Sequence, residues 1–340
     1  MLTRPESIDP PVARFAPAPD WSLAPSHDDA KAAGVATWSG RVEELATRLL
    51  EADEALGDPR WRRPELSSGL RMGPRFIFED HSEIPMSPFD THCLEYRMSW
   101  LARSRDLVGL AEARVPAFEH LLAQDYRLGR PCYLRPQPGS QRQLPLRFAD
   151  DPDALHTLVG LAASGELSFV PYIATRSAWM LAERVASLSG QEVRVAGAPP
   201  DLVDRVNNKL WFAQRVRDLI GPDAIPVTRV ASDDRELVFQ LEELAVAGER
   251  IVVKVPAGSG GRGIVTVDAT AITPGRAAAA GQLVCSRLKA GGWDGIFPLV
   301  VGLWDAPVVG SPSVQVWVPL PHEGPPIIEA IFDQVLDEAR

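Results

Sequence analysis

A lysine followed by a cluster of glycines is the clearest chemical feature of this sequence. The stretch "IVVKVPAGSGGRGIVTVD" places Lys254 in an apolar run and puts four glycines between residues 258 and 263. A lysine is costly to bury without a partner, and glycines let backbone N–H groups approach a ligand closely. A phosphate group would satisfy both the ammonium and the amides. The pattern therefore predicts a phosphate-binding loop.

The residues after the glycines distinguish between the known kinds of glycine loop. Gly258, Gly260 and Gly263 fit G-x-G-x-x-G, but a dinucleotide-binding turn opens a helix and has an acidic residue about 20 positions later. Here "IVTV" predicts a strand, and the nearest acid is Asp268. A P-loop ends in Gly-Lys-Ser/Thr, and a protein kinase has its lysine one strand after the loop. The sequence instead predicts an antiparallel strand–loop–strand over residues 251 to 268.

A second lysine precedes the loop at a suggestive spacing. In "VNNKLWFAQRVRDLIGPDAIPVT", Lys209 opens a helix 45 residues before Lys254. Two lysines in this arrangement, the second on the strand before a glycine hairpin, resemble the ATP-grasp superfamily, although Asn208 stands where that family often has Asp. The resemblance implies that both lysines contact the ATP phosphates, with their ammonium groups within about 10 Å of each other. It also implies that the loop closes over the phosphates through Gly258, Ser259, Gly260, Gly261, Arg262 and Gly263.

The resemblance implies further contacts on both sides of the loop. The strand "PLVVGLW" corresponds to the adenine hinge, so we expect the backbone of Val300, Val301 and Leu303 to face adenine, and Asp305 to face the ribose. Upstream, "PYIATR" ends one strand and starts a helix, which is where open α/β sheets bind ligands. The helix N-terminus could bind a substrate carboxylate or phosphate, or its residues could only cap the helix; these residues are Thr175, Arg176 and Ser177.

Alternating patterns predict an α/β fold. "LSFVPYIA", "TRSAWMLAERVASLSG" and "EVRVAG" form a βαβ unit, which implies a parallel sheet, and "RFIFED" and "RPCYLRP" are further strand candidates. We expect a disordered tail over residues 1–35, rich in Pro and Ala. We expect an N-terminal helical segment with a preATP-grasp parallel α/β domain over 36–200. An ATP-grasp α+β domain, lacking its C-terminal part, is expected over 201–340.

The expected incompleteness concerns the metal. ATP-grasp enzymes hold Mg²⁺ with carboxylates in a segment like Glu-x-Asn, which by the resemblance would lie beyond residue 340. We therefore expect a fragment, a chain completed by a partner, or a nucleotide binder that has lost the metal half. An apolar strand edge near Ile327 to Phe332 is expected to be exposed.

Composition limits the class of protein. Lys and Arg total 35 against 45 Asp and Glu, a net charge of −10, so bulk electrostatics do not attract nucleic acid or an anionic membrane. The three cysteines are far apart in the sequence, which suits a reducing cytosol. Neither a signal peptide nor a membrane span is indicated. The composition predicts a cytoplasmic protein.

These observations lead to one main functional hypothesis and two alternatives. The main one is an ATP-dependent ligase that joins a small carboxylate to an amine, such as amino acids or peptides, through an acyl phosphate, with ATP and Mg²⁺ and with a homodimer or a completing chain as possible partners. The first alternative is a non-catalytic nucleotide binder or one half of a split ligase. The weaker alternative is a dinucleotide-dependent oxidoreductase, which the strand after the glycines disfavours.

Overall fold

A computed structural model describes residues 35–84, 94–258, 261–273, 275–304, 312–320 and 323–333. Contacts divide the chain at Leu49. Helix α1 (Val35–Ala52) lies mostly before that point, and both large sheets lie after it. Within the described ranges, no helix combines the length and apolar character needed to cross a membrane.

The first sheet has six short strands, all parallel. Their bounds are β1 Leu66–Ser68, β2 Arg75–Phe78, β3 Leu107–Gly109, β4 Cys132–Leu134, β5 Ser168–Pro171 and β6 Val193–Val195. The spatial order is β1-β6-β5-β2-β3-β4. The associated helices are α2 Pro116–Gln124, α3 Leu144–Asp150, α4 Pro152–Ala163 and α5 Arg176–Ser189. The predicted βαβ unit is β5–α5–β6, with β5 and β6 paired in parallel.

Two strands of this sheet, β1 and β3, were not predicted. The segment from residue 89 to 113 has a helical pattern in part, and a 3-10 helix does occupy Leu94–Leu101. The short apolar run that follows is β3, which pairs with β2 and β4. A run of this length has no periodicity that separates a buried strand from a helix, so its place in the sheet depends on its neighbours.

Aromatic packing fills the space beside this sheet. Phe76 lies at the centre, with ring-centroid distances of 5.1 Å to Phe148 and 5.3 Å to Phe169. Trp61 and Trp179 meet edge to face at 5.7 Å. All five side chains are buried. Edge-to-face pairs of this kind add stabilisation beyond that of the buried apolar area. The sheet is therefore a well-packed support for the loops at its carboxyl edge.

The second sheet is antiparallel and carries the glycine loop. Two helices precede it, α6 Pro200–Val206 and α7 Lys209–Leu219. Its strands are β7 Thr228–Ala231, β8 Arg250–Lys254, β9 Ile264–Asp268 and β10 Leu299–Leu303, in the order β7-β10-β8-β9. Helices α8 Asp234–Ala245 and α9 Ala277–Ala290 supply apolar side chains to the same buried cluster as the sheet.

Alternation along β8 separates the face that packs against α8 and α9 from the open face, which these helices leave uncovered and on which Val252 is nevertheless buried. Ile251 and Val253 are fully buried in the cluster that contains Leu241 of α8 and Val284 of α9. Successive side chains of a strand point to opposite faces. Lys254 is therefore on the face that the two helices leave uncovered.

A two-stranded antiparallel hairpin follows, formed by β11 Pro312–Trp317 and β12 Ile327–Asp333. Its apolar side chains are largely exposed, with 67% of Ile331 and 53% of Phe332 accessible to solvent. The expected exposure of the apolar strand near Ile327 to Phe332 is therefore present.

The start of α4 shows how one carboxylate organises a helix and a loop. Asp151 accepts hydrogen bonds from the backbone N–H groups of Asp153 (2.9 Å) and Ala154 (3.0 Å), and its other oxygen accepts from Gln137 (2.6 Å). These donors, the Gln137 amide first, lower the pKa of Asp151 against the opposing effect of burial. The ionised carboxylate is thus favoured by folding.

Asp151→Ala is expected to lower the free energy of unfolding by about 1–2 kcal/mol at neutral pH, because it removes a helix cap. Asp151→Asn, which keeps one acceptor oxygen, should lower the free energy of unfolding by a smaller amount. Because the folded-state pKa is lowered, the carboxylate's contribution is present above its ordinary pKa of 3.8 and is lost as the pH falls toward the lowered value. Urea unfolding at neutral and acidic pH checks this, and an equal loss at both would contradict it.

Another backbone segment approaches Gly302 of β10 so closely that a side chain there would clash with it. A Cβ added to Gly302 would lie 2.7 Å from the carbonyl oxygen of Val227. We expect Gly302→Ala to reduce stability by about 1–3 kcal/mol, because backbone must move to admit the methyl group. Gly248→Ala is a matched control, since its Cβ would meet side-chain atoms of Leu303 and no backbone, the nearest being Cδ2 at 2.8 Å. In thermal unfolding, the melting temperature of Gly302→Ala should be clearly lower than that of Gly248→Ala. Equal melting temperatures would contradict this prediction.

Candidate functional site

The glycine loop joins two antiparallel strands. β8 and β9 are in register from Arg250 opposite Asp268 to Lys254 opposite Ile264, so the predicted strand–loop–strand is present. The N–H of Val255 donates to the carbonyl of Gly263 (2.8 Å) and closes the base of the loop. The strand that begins at Ile264 stands where a dinucleotide-binding turn would begin a helix.

Glycines are required at several points of this loop. Gly261 and Gly263 have φ values of 75° and 71°, a region that side chains disfavour. The N–H of Gly258 donates to the carbonyl of Val255 (3.2 Å), and a Cβ at Gly258 would lie 2.8 Å from the carbonyl oxygen of Arg262. The backbone at Gly258 therefore lies against the backbone at Arg262, which leaves no room for a side chain. The Arg262 side chain is exposed; Ser259 and Gly260 lie outside the described residues.

Lys254 carries a positive charge that none of the described residues neutralises. It is the last residue of β8, half-buried, on the face of the sheet opposite the helices. Within the described part of the chain, its ammonium group has neither a carboxylate partner nor a hydrogen-bond acceptor. Its Nζ lies 5.9 Å from the centroid of the Trp304 ring. Such a group favours an anionic ligand.

Lys209 lies at the base of the same loop. Asn207 and Asn208 separate α6 from α7, and the Asn208 side chain caps α7 by accepting from the backbone N–H of Leu210 (3.0 Å). Lys209 is the first residue of α7. Burial, and secondly the positive charge of Lys254, lower the pKa of Lys209. The predicted spacing of the two ammonium groups stays a prediction.

The Lys209 side chain is already engaged by the loop. Its Nζ donates to three backbone carbonyls, those of Val255 (3.3 Å), Pro256 (3.2 Å) and Gly258 (2.5 Å). Its backbone N–H also donates to Pro256 (3.0 Å). These contacts could not be read from the sequence, because no pattern of residue types reports which carbonyls an ammonium group will find.

The predicted adenine hinge lies in β10, between β7 and β8. Val300 and Val301 are in register with strands on both sides, so their backbone groups belong to the sheet. The N–H of Trp304 donates to the carbonyl of Arg250 on β8 (2.9 Å). Because residues of a ladder direct their backbone groups to alternate sides, those of Leu303 point toward β7, whose register ends at Gly302. Leu303 is therefore the predicted hinge residue that lies past the last residue paired with β7; Asp305 lies outside the described residues.

Trp304 is a site residue that the sequence reasoning missed. Its ring, 36% exposed, lies beside the Lys254 ammonium at the end of β10. An available signal was its position immediately after a strand of the sheet that holds Lys254. An aromatic face of this kind can stack on a planar ligand.

The residues predicted at the start of α5 are engaged within the chain. Thr175 caps the helix by accepting from the N–H of Ala178 (3.4 Å). Arg176 forms an ion pair with Asp201 (2.6 Å), and Ser177 donates to the Glu83 carboxylate through its N–H (3.1 Å) and its hydroxyl (2.5 Å). The plain capping role is therefore present, and Glu83 occupies the position proposed for a substrate anion.

Other carboxylates follow β2 at the same edge of the first sheet. Buried Glu79 pairs with Arg97 and with His81, whose ring stacks on Tyr172 at 5.0 Å. Burial raises the pKa of the neighbouring Asp80. Among the described residues, no group of three His, Cys, Asp or Glu side chains is arranged to hold a metal ion.

Comparison with known proteins gives similarities of structure. No family model and no curated protein matches the sequence. The chain is similar to D-alanyl-alanine synthetase A from Vibrio cholerae, with 15% identity, 50% of this chain and 46% of that chain covered, and a TM-score of 0.35. It is similar to a RimK domain ATP-grasp protein from Sphaerobacter thermophilus, with 16% identity, 63% and 68% covered, and a TM-score of 0.32.

A third solved structure is the biotin carboxylase domain of 2-oxoglutarate carboxylase from Hydrogenobacter thermophilus, in complex with MgADP, ADP and bicarbonate. It has 13% identity, 68% of this chain and 44% of that chain covered, and a TM-score of 0.35. The matched part thus spans less than half of the first and third structures. Of these three structures, the protein from Sphaerobacter thermophilus is the one described as an ATP-grasp protein.

Proposed function

We propose that this chain binds ATP at its glycine loop and acts as an ATP-dependent carboxylate–amine ligase. One observation carries the proposal: Lys254, with no anionic partner among the described residues, ends the strand that leads into a glycine hairpin. A second lysine lies at the base of that hairpin. The arrangement concentrates positive charge where the backbone can approach a ligand, as binding a triphosphate requires.

Groups at the other end of the open face suit a purine base. The backbone of Leu303 extends past the register with β7, so its N–H and C=O can pair with the edge of adenine. The exposed Trp304 ring beside Lys254 can stack on the base. The proposed phosphate and base contacts thus belong to two adjacent strands, β8 and β10.

The proposed reaction has two transfers. An oxygen of the substrate carboxylate attacks the γ-phosphorus of ATP, so that an acyl phosphate forms and ADP leaves. The substrate amine then attacks the acyl carbon, forming the amide bond, and inorganic phosphate leaves. The chain's part is to orient ATP and to neutralise charge, through Lys254, Lys209 and the loop amides. We assign the substrates to small acids and amines such as amino acids, and include Mg²⁺ with ATP as part of the proposal.

Lys254→Met tests the nucleotide site. We expect it to weaken ATP binding by about 10- to 150-fold, because a hydrogen bond to a charged group contributes about 1.5–3 kcal/mol. Arg250→Met is a matched control: it removes a cation from the same strand, but one that pairs with Asp268 (3.2 Å). Titration calorimetry with ATP and Mg²⁺ measures both. Equal affinity of Lys254→Met and the unaltered chain would contradict the assignment.

Release of ADP tests the ligase chemistry. With ATP, Mg²⁺ and a mixture of amino acids, we expect ADP to form at a rate that depends on the amino acids, since both carboxylate and amine are consumed. Lys254→Met should abolish this dependence. ATP binding without amino-acid-dependent ADP release would instead indicate a non-catalytic nucleotide binder, and no ATP binding would refute both parts of the proposal.

A further inference from the structure

The three protons of the Lys209 ammonium have three acceptors in the loop. The carbonyl oxygens of Val255, Pro256 and Gly258 lie 3.3, 3.2 and 2.5 Å from Nζ. A lysine has no other donors. In this arrangement, Lys209 has no proton left for a phosphate oxygen, in contrast to Lys254, whose ammonium has no acceptor within the described residues.

Two further contacts hold Lys209 in place. Its backbone N–H donates to the carbonyl of Pro256 (3.0 Å), and the capping side chain of Asn208 fixes the start of α7 directly before it. Both the backbone and the side chain of Lys209 therefore bind the same turn of the loop. Helix α7, which is 11 residues long, serves as the support from which the loop is held.

The orientation of one loop amide follows from these contacts. Pro256 and Ala257 share a peptide unit, in which a trans arrangement directs C=O and N–H to opposite sides. Since the Pro256 carbonyl points at Lys209, the Ala257 N–H points away from it. This N–H has no acceptor in the described part of the chain, so it is available to a ligand.

We infer that Lys209 is a positioning residue, which braces the base of the glycine loop, and that Lys254 is the lysine that meets the phosphates. The role of Lys254 in this inference rests on the proposed function. The bracing of the loop by Lys209 does not depend on nucleotide. Lys209 draws three carbonyls to one side of the loop and thereby turns the Ala257 amide toward the ligand side. Its charge acts on the nucleotide through space, without direct contact.

Amide hydrogen exchange without nucleotide tests the brace. The Val255 and Gly258 amides are hydrogen-bonded within the loop base, to the carbonyls of Gly263 and Val255. Lys209→Met should accelerate their exchange by about tenfold or more, because the turn loses its ammonium donor and opens locally. Lys254→Met, which removes an ammonium that touches none of these carbonyls, should leave both rates unchanged.

Lys209→Arg separates geometry from charge. It keeps the positive charge, but a planar guanidinium cannot direct its protons to three converging carbonyls, so exchange at Val255 and Gly258 should still be faster than in the unaltered chain. Amides of β5 and β6 in the first sheet report whether each variant is folded. Should Lys209→Met misfold, Lys209→Arg and Asn208→Ala, which weakens the cap of α7, provide the same exchange readout.

The outcomes distinguish the brace from the nucleotide site. Unchanged exchange of the two amides in folded Lys209→Met, with weaker ATP binding, would overturn the inference and make Lys209 a phosphate ligand. Faster exchange in Lys209→Met and unchanged exchange in Lys254→Met support it. If the unaltered chain binds no ATP, the proposed function fails, and the exchange result still decides whether Lys209 braces the loop.

Discussion

The hydrogen bonds between the Lys209 ammonium and the loop carbonyls are the contacts on which the site depends. A glycine-rich segment has a large choice of backbone conformations, and ordering it costs more entropy than ordering other residues. Three carbonyls held by one ammonium, at 2.5 to 3.3 Å, restrict that choice at the first turn of the loop. The strand pairing of β8 with β9 restricts it from the other side. The loop is thus defined at its base.

The sheet beneath the loop determines where charge can be exposed. Helices α8 and α9 cover one face of the second sheet, and the apolar residues of β8, β9 and β10 alternate toward them. A lysine on the packed face would have to be buried without a partner, which is prohibitive. Lys254 is one residue out of phase with Val253, so it lies on the open face. The same alternation that builds the core therefore places the cation where a ligand can reach it.

Much of this arrangement could be predicted because it is local in sequence. The glycines, the β-forming run after Gly263 and the lysine before the loop lie within 18 residues, and together they indicate the hairpin. The β5–α5–β6 unit has recognisable residues at both ends of its helix, Thr175 and Gly190, and a regular spacing of apolar residues. Strand β3 could not be assigned, since its three residues become a strand through pairing with β2 and β4. The acceptors of Lys209 and the partners of Arg176 and Ser177 depend on chain segments distant in sequence, which residue spacing does not reveal. The residues predicted as an adenine hinge lie in β10, and the sequence could not show which of their backbone groups the neighbouring strands already use.

The strand order of the second sheet has a consequence for how the chain acquires its structure. β10 occupies the position between β7 and β8, yet it follows both of them in the chain. The β8–β9 hairpin needs only a short loop to close, whereas β7 meets no strand of its sheet until β10 arrives about 70 residues later. Loop closure and contact order favour the local pairing first. During synthesis on a ribosome, the β8–β9 hairpin with its glycine loop would therefore form before β10, which carries the proposed hinge, has been synthesised. Insertion of β10 would then join β7 to the preformed hairpin and complete the sheet.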